Sequence, residues 1–325
     1  MTLAEGRIIK NLRGTRNIAL ICSRMIRVSV ILGTFNSAAF IERTVQSVLS
    51  QEGNGSDFEI ELLTIDDCST DNTVEILRSM GLQPLSTGSP SGGPNRGRNI
   101  GLQKSTGDYI ALIDHDDTWH PSKIKTQLSV AERAPIITTG YRVIDSIRKA
   151  TSSIGTGEPE FRFFEKNVTF LDRLARKRSG QPVYMSTIMI RRELSSILFE
   201  EEYGCVDYDW LLRLFEGRSS VHCNRALATR YICGENLSLQ SGYRGKEYNL
   251  SARTAESYRL KYPDEATEAF YRINGTRARY HYVVGDMVLA RKYLRKSGPG
   301  LKTSLYYLTS YAGSSIVKRF FRVFG

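Results

Sequence analysis

Three short apolar runs each end in a cluster of polar or acidic residues, and helix-patterned segments separate them. Arg27-Val28-Ser29-Val30-Ile31-Leu32-Gly33 stops at Thr34-Phe35-Asn36, Ile60 to Asp66 stops at Asp66-Asp67, and Tyr109 to Asp114 stops at Asp114-His115-Asp116-Asp117. Each run reads as a buried strand. Between the first two, Ile41, Val45, Val48 and Leu49 recur at helical spacing. Asn72-Thr73-Val74-Glu75 reads as a capping-box variant opening a second helix. After a Gly/Pro/Ser loop (residues 84–94), Arg98 to Lys104 reads as a third helix. Such alternation predicts parallel βαβ units. Ligands of these sheets bind beyond the carboxyl ends of the strands, where all three polar clusters fall.

Further on, Ile136 to Asp145 and Val183 to Ile190 read as strands and Asp207 to Phe215 as an amphipathic helix. The expected organisation is an N-terminal extension (residues 1–25), an α/β domain (26–239) and a basic helical C-terminal region (240–325). The 325 residues carry a net charge of +11. Residues 1–30 hold six basic and one acidic side chain, residues 31–239 hold 23 and 27, and residues 240–325 hold 16 and six. A slightly acidic centre with basic ends argues against a nucleic-acid-binding domain and for a soluble core whose termini meet an anionic surface.

No run approaches the ~20 apolar residues that span a bilayer. The stretch Ile18 to Cys22 is too short for a signal peptide and leads into Arg24 and Arg27. Five cysteines, an odd number without a CxxC pair, predict free thiols and a reducing compartment. The first strand–helix turn holds a single glycine, Gly33, where a dinucleotide site needs Gly-x-Gly-x-x-Gly, and no Walker-type phosphate loop occurs. Asp114, Asp116 and Asp117 repel one another unless solvated or bridged, and such oxygen-rich clusters suit Mg²⁺ or Mn²⁺. The alternative is a solvated loop in which Asp117 or Ser122 caps a helix beginning near Pro121.

Four segments in order resemble glycosyltransferase family 2. Val28 to Asn36 resembles its opening strand and turn, with Gly33 where proline is usual. Ile65-Asp66-Asp67-Cys68-Ser69-Thr70-Asp71-Asn72-Thr73 is similar to its Asp-Asp-Gly-Ser-x-Asp-x-Thr segment. Gly97-Arg98-Asn99-Ile100-Gly101 resembles its Ala-Arg-Asn-x-Gly, and Ile113 to Trp119 its DXD-bearing strand end. The resemblance covers roughly residues 26–235. It implies a GT-A fold, a mostly parallel sheet flanked by helices, followed here by a helical C-terminal appendage.

The resemblance also implies roles. Thr34 and Asn36 line the nucleotide pocket, with Asp67 beside Asp66. Asp66 accepts from the base imide N–H, which uracil and thymine share, and Arg98 sits near base or phosphate. Asp116, with Asp114 or Asp117, holds Mn²⁺ or Mg²⁺ on the diphosphate and ribose. The catalytic base is Asp207 in Val206-Asp207-Tyr208-Asp209-Trp210, with Asp209 as the alternative; Val206 stands where the family has Glu. The family's later His is absent from Arg230 to Asn236, which leaves diphosphate contacts there unassigned. His115 reads as a spacer, His222 and His281 as structural, and Trp119 as either a wall of the sugar site or core.

The expected function is inverting transfer of a sugar from a UDP- or dTDP-sugar to a hydroxyl of a glycan or lipid-linked saccharide in surface-polysaccharide assembly. The alternative is a nucleotide-sugar-binding protein without catalysis. The expected location is cytoplasmic, peripheral at the inner face of the membrane. Val317, Phe320, Phe321 and Phe324 share one helical face beside Lys318, Arg319 and Arg322, the pattern of a helix lying on anionic lipid. Alternatively these aromatics pack on the catalytic domain or across a homodimer.

Overall fold

The computed structural model describes residues 24–313 apart from 156, 158, 159, 178, 179, 205 and 234–240. Four strands, β1 (Ile26–Thr34), β2 (Phe58–Asp66), β3 (Leu85–Ser86) and β4 (Tyr109–Asp114), lie parallel in the order β3-β2-β1-β4. Helices α1 (Ile41–Leu49), α2 (Thr73–Ser79) and α3 (Asn95–Lys104) connect them. The first run reads as continuously apolar because both its faces are covered. Val28, Val30 and Leu32 pack with Ile41, Val45 and Val48 of α1, while Ile31 faces Leu102 of α3 on the other side. Leu49, expected on the apolar stripe of α1, is exposed.

Beyond β4 come β5 (Thr118–Trp119), α4 (Lys123–Leu128), β6 (Ile136–Asp145), β7 (Ala150–Ile154), β8 (Phe161–Phe164), α5 (Val168–Leu174), β9 (Met189–Arg191), α6 (Tyr208–Phe215) and β10 (Ser220–Ile232). The sheet continues β4-β9-β6-β10-β5, with β7 on β6 and β8 on β10. β9 is antiparallel to both neighbours, and β10 is parallel to β6. The parallel half thus carries the early polar clusters, and a mixed half extends the sheet past β4.

Three local expectations are corrected. The segment expected to be a strand from Val183 to Ile190 is instead a 3₁₀ turn at Met185–Thr187, and only Met189–Arg191 is strand. There the Thr187 hydroxyl and amide both donate to the Tyr184 carbonyl, which closes the turn. Asn72 forms no capping bond to α2; Asp71 accepts from the Thr73 amide and hydroxyl instead. Ser122 occupies the N-cap of α4 without a side-chain capping bond, its hydroxyl pairing with His120 Nδ1 at 2.9 Å, and Asp117 is buried rather than capping the helix.

The C-terminal region is helical as expected: α7 (Ser241–Ser257), α8 (Pro263–Val284), α9 (Met287–Leu294) and α10 (Leu301–Thr309). Leu250 of α7 joins the main core, and Tyr258 and Tyr262 meet Phe170 of α5 edge-on at 5.3 and 4.9 Å. The last three helices share a satellite core of Ala278, Tyr282, Ala290, Leu294 and Tyr306. Among the described residues no helix is long and apolar enough to cross a membrane, and Cys68, Cys223 and Cys233 form no disulfide. The N-terminal extension to residue 23 and the aromatic–basic tail from Val317 lie outside the described residues.

Candidate active site

Strand register brings the polar clusters together. Thr34 stands opposite Asp66 and Gly33 opposite Asp114, so the three strand ends open on one side. A cleft of about 610 Å³ lies over them, within the usual size range of small-molecule sites. Its lining includes Thr34, Asn36, Asp67, Arg98, Asp114, Asp116, Tyr184, Asp207 and Arg230.

The turn after β1 and the turn after β2 are cross-tied. The Thr70 amide donates to Asn36 Oδ1 (2.8 Å), the Asn36 amide to Ser69 Oγ (2.9 Å), and the Ser37 amide to Thr73 Oγ1 (2.7 Å). Asp71 accepts from the Ala38 amide at 3.0 Å. Cys68 holds a left-handed φ of +63°, a conformation that suits glycine. This accounts for the glycine that the resembling segment carries there.

Asp66 and Asp67 separate in role. Asp66 accepts from Thr34 Oγ1 (3.1 Å), the Ser69 amide (2.9 Å) and Ser69 Oγ (2.5 Å), and is not on the cleft lining. Asp66, expected as the base contact, is thus taken up by the turn that it holds together. Asp67 faces the cleft, held by the Ser91 amide and hydroxyl and by Thr87 Oγ1.

Helix α3 shows why arginine, asparagine and glycine stand at their spacing. Arg98 Nη2 donates to Asp114 Oδ1 at 2.7 Å, a contact mostly withdrawn from solvent. Asn99 pairs in both directions with the Phe199 backbone, at 2.7 and 2.9 Å, which ties the helix to the segment before α6. Gly101 lies so close to β1 that an added Cβ would meet Ile31 Cγ2 at 2.4 Å. A side chain there would lift the helix and Arg98 with it.

The acidic cluster after β4 divides. Asp114 and Asp116 line the cleft, whereas Asp117 lies behind it, fully buried. Tyr184 Oη donates to Asp117 Oδ2 at 2.6 Å and Ser186 Oγ donates to the same oxygen at 2.5 Å, while Asp117 Oδ1 is buried without a partner among the described residues. Asp117, expected as a cation ligand with Asp116, thus lies off the cleft lining that Asp114 and Asp116 share. Burial, reinforced by the neighbouring Asp114 and Asp116 charges, pushes the Asp117 carboxyl well above the usual range. Burial also raises Asp116, opposed by His115 and reinforced by Asp114. Among the described residues no three His, Cys, Asp or Glu side chains gather into a cation cage. Asp114 and Asp116 are two carboxylates on one wall, the donor set Mg²⁺ takes when phosphate oxygens and water complete its shell.

Of the two candidate bases, Asp207 lines the cleft. Asp209 is bound to Arg213 (2.6 Å) one turn along α6 and accepts from Thr254 Oγ1 (3.3 Å). Val206 is buried in the core, and its carbonyl accepts from Asn95 Nδ2 at 3.4 Å. Trp119 is core: it is buried, and Nε1 donates to the Ser186 carbonyl at 2.8 Å. His222 is buried against Thr138 Oγ1 (2.9 Å), a structural histidine as expected.

Sequence reasoning missed three residues. Tyr184 and Ser186 organise Asp117 across 67 and 69 residues, and no local pattern marks them. Arg230, on β10, lines the cleft with its guanidinium 5.1 Å from the Tyr184 ring centroid. It is a cation in the stretch where the expected His is missing.

The sequence model of Glycosyl transferase family 2 matches residues 29–198, more than half of the chain. The chain belongs to glycosyltransferase family 2. The matched span holds the first four elements of the site, and Asp207 and Arg230 lie just beyond it. The Staphylococcus aureus poly(ribitol-phosphate) β-N-acetylglucosaminyltransferase TarS is 26% identical over 207 residues, covering 62% of this chain and 34% of TarS. The Bacillus subtilis putative teichuronic acid biosynthesis glycosyltransferase TuaG is 28% identical over 232 residues, 65% of this chain and 81% of TuaG. Hyaluronan synthase of Pasteurella multocida is 24% identical over 303 residues, 90% of this chain and 30% of the synthase. The match thus spans about a third of TarS and of the synthase. In structure, residues 1–349 of S. aureus TarS in complex with UDP-GlcNAc superpose with a TM-score of 0.64 at 17% identity, over 88% of this chain and 89% of that one. The family 2 fold inferred from four motifs, GT-A with a central sheet flanked by helices, is the fold observed.

Proposed function

We propose that the chain transfers a sugar, with inversion, from a uridine or thymidine diphosphate sugar to a hydroxyl of a glycan or lipid-linked saccharide in surface-polysaccharide assembly. The observation that carries this reading is that Asp207 faces the same cleft as Asp114 and Asp116. A group able to take the acceptor proton and a wall able to hold a diphosphate through a cation thus meet in one cavity. TarS with UDP-GlcNAc bound supports a UDP-sugar as donor.

Thr34, Asn36 and Asp67 hold the nucleoside, with the Asp67 carboxylate offered to the imide N–H of the base. Asp116 and Asp114 would hold Mn²⁺ or Mg²⁺, which would supply positive charge to the leaving diphosphate. Arg98 fixes Asp114 and keeps that wall in place, and Arg230 adds a second positive charge over the cleft. Asp207 accepts the proton of the acceptor hydroxyl as its oxygen attacks the anomeric carbon. The bond to the nucleoside diphosphate breaks on the opposite side, and the diphosphate leaves with the bonding pair.

A panel of nucleotide sugars with Mn²⁺, read by thermal shift and by release of nucleoside diphosphate, tests the reading. A UDP- or dTDP-sugar is expected to raise Tm by mass action and to be turned over slowly to water. A donor that stabilises the protein but is never turned over, with any acceptor, favours the binding protein without catalysis.

A further inference from the structure

A second cavity, of about 180 Å³, adjoins the cleft and shares Asp207 and Tyr243 with it. Arg173, Arg176 and Lys177, at and just after the end of α5, supply its positive side chains. Two of these are partly neutralised. Arg176 donates to Ser251 Oγ (3.3 Å) and lies 3.9 Å from Glu247, and Lys177 lies 3.2 Å from Asp172.

Arg173 is different. Its Nε is buried without a hydrogen-bond partner, and among the described residues its guanidinium forms no ion pair. Burial lowers its pKa, and the largest opposing influence is the Asp207 charge. A buried guanidinium N–H left without a partner is costly, and the planar fork that carries it matches an oxyanion. The cavity is polar and has room for several waters or one small anionic group, since a water takes about 30 Å³ of liquid.

We propose that this cavity is an acceptor subsite that takes an anionic group, phosphate or carboxylate, carried by the acceptor next to the hydroxyl that reacts. The inference rests on Asp207 being the base: an acceptor anchored at Arg173 presents its neighbouring hydroxyl at the boundary between the two cavities, where Asp207 stands.

Calorimetry with the full chain tests the subsite directly. Glycerol 3-phosphate, glucuronate and glycerol are titrated in the presence and absence of UDP. At least one of the two anions is expected to bind and glycerol is not, and the anion that binds names the source of the charge. Binding should persist with UDP present, weaken with salt, and fall at least tenfold in Arg173→Gln while Arg173→Lys retains part of it. Should Arg173→Gln fail to fold, Lys177→Gln on the half-exposed rim is expected to weaken binding about threefold. Anion binding that is absent, or that UDP displaces and Arg173→Gln leaves unchanged, overturns the subsite. Failure of both UDP and dTDP to bind, with anion binding intact, overturns the donor reading and leaves the subsite standing.

Discussion

Tyr184 Oη donates to the buried Asp117 carboxylate at 2.6 Å and lies 3.4 Å from Asp114 Oδ2, so it stands between Asp117 and the carboxylates that face the cleft. Asp117 sits in the interior among hydroxyl donors, while Asp116 lines the cleft, where the proposed cation would meet it. Asn at the two positions should therefore behave differently. Asp117→Asn is expected to keep cation-dependent donor binding within about threefold, because an amide oxygen still accepts from Tyr184 and Ser186. Asp116→Asn is expected to fold normally and lose cation-dependent turnover, because an amide brings no charge to the metal. Titration of Mn²⁺ against turnover in both variants checks the pair; equal losses would place Asp117 on the cation after all.

The approach of α3 to β1 gives a second test. Gly101→Ala sets a Cβ against the buried side chain of Ile31. Overpacking of this kind costs about 1–3 kcal/mol, and the displaced helix carries Arg98 away from Asp114. Urea unfolding should show that loss, and in a double-mutant cycle it should shrink against Ile31→Ala, which removes the Cγ1 and Cγ2 atoms that the new Cβ meets. Unchanged stability in the single variant would mean that the helix does not need this close contact.

His222 supplies the pH dependence. Burial, reinforced by the Arg162 charge, lowers its pKa to about 4 from an ordinary 6.5. The unfolded chain therefore binds a proton that the folded chain refuses between these values. The neutral-His contribution is complete above about pH 6.5 and is lost as pH falls toward 4. Between pH 7.5 and 5 the loss amounts to about 2 kcal/mol. His222→Asn, which keeps an acceptor near Thr138 Oγ1, should flatten that slope in urea titrations at the two pH values. An equal slope in both proteins would assign the pH dependence to other groups.

The parallel half of the sheet was legible because its strands are covered on both faces, which leaves an apolar run with an abrupt polar end. β10 was not, since its register shifts between Cys223 and Ala226 and again before Ala228, which breaks the alternation that marks a strand. The site was legible where chemistry is local: Asp114, Asp116 and Asp207 sit in short motifs and all reach the cleft. The choice between Asp66 and Asp67 was not, because neighbouring residues at a strand end point to opposite faces and only the assembled sheet decides which meets the cleft. Tyr184 and Ser186 were invisible for a related reason. Their value lies in a partner far along the chain, on a turn whose sequence reads equally well as strand.

On the proposed mechanism, Asp207 removes the acceptor proton in a cleft that holds the donor independently of it. Kinetics of Asp207→Asn and Asp209→Asn with a saturating donor and a competent acceptor address it most directly. Asp207→Asn is expected to lower kcat by about 10²–10⁴-fold, the usual contribution of a positioned base, with donor Kd within about twofold of the parent. Asp209→Asn, which disturbs only the Arg213 and Thr254 contacts, is expected to keep kcat within about tenfold, since its carboxylate takes no proton. A fully active Asp207→Asn beside an inactive Asp209→Asn would contradict the assignment.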